Sequence, residues 1–218
     1  MKQKIIAVIP ALNEEKTINS VLNGVKKYVD EIVVVDDGST DNTSKIVEKS
    51  SAILIKNKTR LGYDKAIDIG FKEASCRNPN ILVTFDADGQ HIPKDLEKIL
   101  FPIKKKETSV VVGIRPYKQR IAEKIFARFS KRKIGVSDPL CGIKAYSWKA
   151  YNKVGYFDKI NSIGTELMFN CYKNGYKIKE LNIQMNKRID KPRFGSIIKG
   201  NYKIFLAFIK VYIKFRSI

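Results

Sequence analysis

Apolar residues fall into short unbroken runs, separated by segments whose apolar positions recur at helical spacing. Lys4–Pro10 (KIIAVIP) is the first run, and the proline that ends it predicts a strand. Asn13 can cap a helix over Glu14–Lys27, where Ile18, Leu22 and Val25 share a face. Glu31–Asp36 (EIVVVD) is a continuous β-branched run, the composition of a strand covered on both faces. Gly38–Asp41 turns the chain, and Asp41 can cap a helix running to Lys49. Ala52–Lys56 predicts a third strand, Tyr63–Ser75 a helix and Ile81–Phe85 a fourth strand. Pro93 opens another helix at its first turn, and Ser109–Gly113 is a fifth strand. Beyond it the pattern loosens into a helix over 117–132, a strand over 142–147, a helix over 164–173, a strand over 177–186 and a helix over 197–216.

Strands alternating with helices build βαβ units, so the expected fold is α/β, a Rossmann-like, mainly parallel sheet flanked by helices. Such sheets bind ligands beyond the carboxyl ends of their strands. That directs attention to three loops, Pro10–Glu15, Asp36–Asp41 and Asp86–His91. In Asp86-Ala87-Asp88 the two acids are spaced i, i+2, so in an extended segment both carboxylates face one point. Hard oxygens of this kind suit Mg²⁺ or Mn²⁺, which also coordinate a diphosphate. Gln90 and His91 follow directly, and His91 reads as a loop-stabilising neighbour rather than a ligand. Asp36 and Asp37 can accept hydrogen bonds from a ribose or base, or Asp37-Gly38 can simply make a turn.

The chain has 218 residues, 44% hydrophobic and 29% charged, which suits one domain with a proper core and excludes a disordered chain. Its net charge of +20 is unevenly spread. Residues 1–99 carry 15 basic and 15 acidic side chains, residues 100–218 carry 27 and 7. The expected partners are therefore phosphates, nucleic acid or an anionic membrane. No apolar run is long enough for a spanning helix, and the N-terminus is too short for a signal peptide. Cys76, Cys141 and Cys171 lack a CxxC spacing and read as reduced thiols of a cytoplasmic protein.

Taken together, VIPALNEEKTI (8–18), VVVDDGSTDNT (33–43), FDADGQH (85–91) with Pro93, GIR (113–115), SDPLCGIKAY (137–146) and Thr165-Glu166 resemble an inverting family 2 glycosyltransferase of the GT-A fold. Within that family the pattern is most similar to the dolichol-phosphate mannosyltransferase group, over about residues 4–196. The resemblance implies a GT-A domain over 1–196, with a nucleotide-sugar half (1–99) and an acceptor half (100–196). It implies that Pro10, Ala11, Asn13, Glu14, Asp36 and Asp37 hold the nucleotide of a GDP- or UDP-sugar. Asp86, Asp88 and Gln90, with Ala87 between the acids, would bind Mg²⁺ or Mn²⁺ and the donor diphosphate. Arg115, Arg188 and Arg193, with Ser196, would clamp the phosphate of a polyprenyl phosphate acceptor. Asp88, Arg115 and Glu166 would carry catalysis, Glu166 by positioning the sugar or the attacking group unless it merely caps its helix. The chain departs from the group in three places. Gly62-Tyr63-Asp64-Lys65-Ala66 stands where relatives often have a Lys-Gly or Gly-Gly pair, and Ile143-Lys144 replaces a Phe/Tyr-Arg pair, read as a surface or packing change. Arg188 lies seven residues before Gly195 and Arg193 two, leaving two candidates for one clamp.

Two basic segments suggest a membrane surface. On a helical wheel, Arg120, Lys124, Arg128 and Lys131 cluster beside Ile121, Ala122, Ile125, Phe126 and Phe129. In 197–218, Lys199, Lys203, Lys210 and Lys214 cluster beside Phe205, Phe208, Ile209, Tyr212 and Phe215. Basic, aromatic, amphipathic helices lie in the plane of an anionic bilayer surface. The expectation is a peripheral enzyme on the cytoplasmic membrane face, transferring a hexose (mannose or glucose) to a polyprenyl or dolichyl phosphate. A soluble or cell-wall saccharide acceptor is the alternative. A nucleic-acid-binding role is a remote one, since no helix-turn-helix, zinc or RRM signature accompanies the charge.

Overall fold

The computed structural model describes residues 2–116, 120–186 and 197–218. The elements are β1 (Ile5–Ala11), α1 (Ile18–Val25), β2 (Glu31–Asp36), α2 (Thr43–Glu48), β3 (Ile53–Lys56), α3 (Tyr63–Ser75), β4 (Ile81–Thr84) and α4 (Asp95–Lys104). They continue as β5 (Val110–Ile114), α5 (Ile121–Ile134), β6 (Lys144–Ser147), α6 (Trp148–Val154), α7 (Glu166–Lys173), β7 (Ile178–Asn182) and α8 (Ile197–Phe215). One sheet has the order β3-β2-β1-β4-β6-β5-β7, parallel except where β6 runs antiparallel between β4 and β5. Every residue of β1 is buried, as its unbroken apolar run requires for a strand with helices on both faces. Gly70 lets α3 settle onto that strand, because a Cβ there would lie 2.3 Å from Val8 Cγ1.

Three boundaries differ from expectation. Helix α1 begins at Ile18 and not after Asn13, which sits in the left-handed region at φ 52°. Asn13 stitches two loops instead, its Oδ1 accepting the Thr40 N–H (2.8 Å) and its own N–H reaching Ser39 Oγ (2.8 Å). Asparagine tolerates that backbone better than most residues. Helix α6 is not predicted by apolar periodicity. Its signals are local, a Ser147 side chain that accepts the Ala150 N–H (3.3 Å) and a left-handed Gly155 at its end. The predicted strand over 177–186 pairs only through Asn182, with one further bridge between His91 and Met185.

Helix α8 belongs to the same core as the sheet. Ile204, Ala207, Val211 and Phe215 are buried, Phe208 packs edge-on against Phe126 and Phe129, and Phe215 lies 5.0 Å from Phe169. Its opposite side exposes Tyr202, Phe205, Ile209, Tyr212 and Ile213, Leu206 is exposed at the cavity, and Ile121 and Ile125 of α5 are exposed as well. Among the described residues, no helix is long and apolar enough to cross a membrane.

Candidate active site

A cavity of about 770 Å³ opens beyond the carboxyl ends of β1, β2 and β4, and the loops named from the sequence form one side of it. Pro10, Ala11, Glu14 and Asp37 line it. Asp37 is fixed by three donors, Asn57 Nδ2 (2.9 Å), Leu61 N–H (2.8 Å) and Gly62 N–H (2.8 Å). Asp36 is buried and turned into its own loop, accepting from the Ser39 N–H (2.9 Å) and from Ser44 Oγ. Asn13 is likewise spent on the loop contact described above. Neither is among the lining residues, so of the residues expected to hold a nucleotide it is Pro10, Ala11, Glu14 and Asp37 that border the cavity.

Asp86, Ala87, Asp88 and Gln90 follow β4 and line the cavity together. His91 is buried and its Nε2 lies 3.1 Å from Asp86 Oδ2, so it orients that carboxylate from behind. Burial alone would raise the Asp86 pKa. The His91 hydrogen bond and the positive fields of Lys144 and Arg115 outweigh it and hold the group below the usual carboxylate range. Asp88 Oδ1 caps its own turn by accepting the Gln90 N–H (3.1 Å). Gly142 presses on the same spot, since a Cβ there would sit 1.9 Å from Asp86 Oδ2. Two carboxylates at an open wall provide the hard oxygens that a divalent cation takes when substrate phosphates supply the remaining ligands. Among the described residues, no third acid, cysteine or histidine completes an all-protein cage.

The facing wall is cationic. Arg115 and Arg120 enter from the β5–α5 connection, Lys203 and Lys210 from α8. Arg115 is clamped by Asp138 through Nε–Oδ2 and Nη2–Oδ1 contacts of 2.9 Å each, and Arg115 Nη2 also meets Glu123 Oε2 at 3.2 Å. Those buried carboxylates hold its guanidinium rigidly at the cavity and keep it charged. Arg120 pairs with the other Glu123 oxygen at 3.3 Å. The four α8 lysines therefore do not form a single lipid-facing row. Lys203 and Lys210 face the cavity, and Lys214 is paired with Glu166.

Glu166 does not reach the cavity. Its carboxylate is 0% exposed and accepts from Tyr156 Oη (3.1 Å), the Ile160 N–H (3.2 Å), the Lys159 N–H and Lys214 Nζ. It ties α7 to the 158–165 loop and to α8, so the expectation that it positions sugar or nucleophile gives way to a structural role. For Lys144, read as a surface or packing change, the structure selects packing. It is 1% exposed, and its Nζ donates to Gly164 O at 2.7 Å. Arg188, Arg193 and Ser196 lie outside the described residues.

A third part of the wall is formed by Gly62, Tyr63 and Asp64 at the start of α3, the segment the sequence marked as a departure from the family, together with Arg60, Asn161 and Ile163, which sequence reasoning missed. The Arg-x-Gly entry to α3 is a legible signal. The 158–165 loop has none, because it is brought in by tertiary contacts alone.

The family model Glycosyl transferase family 2 matches residues 6–179. An uncharacterised protein of Methanocaldococcus jannaschii is 35% identical, over 95% of this chain and 92% of its own length. The UDP-N-acetylglucosamine–dolichyl-phosphate N-acetylglucosaminyltransferase of Methanococcus voltae is 39% identical over 53% of this chain, a match that spans 53% of that relative. Relatives named for polyprenol- or dolichol-phosphate mannose transfer match more weakly across most of the chain. Among solved structures, Mycobacterium tuberculosis glucosyl-3-phosphoglycerate synthase with Mn²⁺ and UDP-glucose superposes with a TM-score of 0.76 at 20% identity, covering 98% of this chain and 79% of that one.

Proposed function

The chain belongs to glycosyltransferase family 2, and from that premise we propose that it transfers a hexose or N-acetylhexosamine from a nucleoside-diphosphate sugar to a polyprenyl phosphate at a membrane surface. The observation that carries this is the double service of α8. One side brings Lys203 and Lys210 to the cavity, while the outer side leaves five large apolar residues exposed. A phosphate whose tail stays in a bilayer needs that combination. The Methanococcus voltae relative, by its name, uses such an acceptor with an N-acetylhexosamine donor.

Pro10, Ala11, Glu14 and Asp37 would bind the nucleoside. Asp86 and Asp88, with Gln90 beside them, would hold Mg²⁺ or Mn²⁺ together with the donor diphosphate. The cation, when bound, supplies Lewis-acid relief of the leaving group's charge. The acceptor is a phosphate monoester with a second pKa of about 6, so its oxygen is already ionised at neutral pH and needs no strong base. What it needs is neutralisation beside a second anion, and Arg115, Arg120, Lys203 and Lys210 supply it. The phosphate oxygen then bonds to the anomeric carbon as the bond to the diphosphate breaks. That single displacement inverts the centre.

The test is a donor and acceptor panel read by product mass, with purified protein, Mg²⁺ or Mn²⁺, GDP- and UDP-sugars, a polyprenyl phosphate and soluble saccharides. Formation of a glycosyl polyprenyl phosphate is expected. Transfer to the saccharides alone would select the other acceptor class.

A further inference from the structure

Asp64 is the second residue of α3, and its side chain enters the cavity wall. The residue is 8% exposed. One carboxyl oxygen, Oδ2, accepts the Ile163 N–H at 3.2 Å. The other, Oδ1, is buried and has no hydrogen-bond partner among the described residues. Buried polar atoms are nearly always satisfied, so an orphan in a cavity wall points to a group that arrives with the ligand.

The surface around Asp64 is held in an unusual shape. Asn161 and Ile163, which also line the cavity, have φ of 54° and 59°. A β-branched residue there is an outlier that persists only when its surroundings fix it. Three buried charges do so. Asp158 accepts the Ile160 and Ser162 N–H groups (3.0 and 3.1 Å), Glu166 accepts from the Lys159 and Ile160 N–H groups, and Lys144 Nζ holds Gly164 O.

The chemistry of the missing partner follows from what Asp64 is not near. It joins no group of three His, Cys, Asp or Glu residues that could hold a metal ion, among the described residues. Four of the lining cations come from α8 and the β5–α5 connection, with Arg60 four residues before Asp64, and a carboxylate itself repels a phosphate. What remains is an uncharged, hydroxyl-bearing part of the substrate. Burial, reinforced by the neighbouring Asp158, pushes the Asp64 carboxyl up to about 7, so near neutral pH it presents either a lone pair or an O–H. A sugar hydroxyl complements both forms, being donor and acceptor at once.

We infer that Asp64 is a specificity-determining residue whose Oδ1 hydrogen-bonds a ring hydroxyl of the transferred sugar, with the locked Asn161–Ile163 turn shaping the same subsite. This rests on the nucleotide-sugar reading above. The experiment compares the full-length wild type with Asp64→Asn and Asp64→Ala. Nucleoside diphosphate affinity is measured by calorimetry with Mg²⁺. Specificity constants are measured for the accepted donor and its monodeoxy analogues. In the wild type, one deoxygenation should cost about 10- to 100-fold in kcat/KM. Asp64→Ala should lose a similar factor on the parent donor and no more than about twofold on that analogue. Nucleoside diphosphate affinity should stay within about twofold in all three proteins. Equal losses on every analogue, or a wild type indifferent to each deoxygenation, would overturn the assignment while leaving the donor reading intact. A wild type that binds no nucleoside diphosphate would overturn both.

Discussion

Gly142→Ala is a substitution that adds one methyl group and aims it at Asp86. The new Cβ would stand 1.9 Å from Oδ2, 2.5 Å from Cγ and 2.7 Å from Oδ1. The backbone is poorly placed to yield, because Thr84 Oγ1 donates to Gly142 O at 2.7 Å and β6 starts two residues later. The carboxylate must therefore swing away, by about 1.5 Å to reach ordinary carbon–oxygen contact. That motion breaks the 3.1 Å bond to His91, a charge-assisted contact worth about 1.5–3 kcal/mol. The fold tolerates such a loss, and a modest fall in thermal midpoint is expected. Catalysis tolerates it less, since displacement of a reacting group by about 1 Å costs about 10²-fold. Steady-state transfer rates at saturating Mg²⁺, beside thermal unfolding of the same samples, separate the two effects. A Gly142→Ala protein within threefold of wild-type kcat/KM would refute the placement of Asp86 at the reacting diphosphate.

Three other outcomes are expected. Glu166→Gln should destabilise the chain by about 1–3 kcal/mol in urea unfolding and expose α8 to proteolysis, because a buried amide has one acceptor oxygen for the Tyr156, Lys159, Ile160 and Lys214 donors that converge on the carboxylate. Asp64 and Asp158 are both raised, mainly by burial, so the folded chain holds protons that the unfolded chain releases above pH about 4. That stability contribution is fully present below pH 4 and is lost as pH rises through about 7, and Asp64→Asn should flatten the slope in denaturant titrations across that window. Serine at Ile121, Tyr202 and Ile213, which are 72%, 64% and 63% exposed, should abolish flotation with anionic vesicles and leave the thermal midpoint unchanged. Undiminished flotation would exclude that face as the docking surface.

The alternation of strands and helices in the first half was legible because the apolar runs of β1, β2 and β4 are buried almost throughout, and periodicity reports burial directly. The acids at the ends of β2 and β4 were legible because strand ends place side chains predictably. Which of two adjacent acids faces the cavity was not, as Asp36 and Asp37 show. Their difference lies in partners from α2 and from residues 57–62, and no local pattern encodes those. For Lys144 and Glu166 the sequence left two readings open, for a related reason. A charged residue in a sequence looks solvated until the fold supplies a carbonyl or an ammonium to meet it. The lysines of α8 followed a true helical pattern, but periodicity tells which residues share a side and not what that side touches.

Helix α8 ties three equilibria together. Its inner face is part of the core, its flank part of the cavity wall, and its outer face the exposed apolar strip. A ligand that favours the seated helix at one of these faces favours it at the others, and the favour is mutual. Vesicles that grip the strip should tighten nucleotide-sugar binding by whatever factor the nucleotide-sugar tightens vesicle binding. If the acceptor is the polyprenyl phosphate proposed above, a bilayer would then act as an effector of the enzyme as well as the place that holds its substrate.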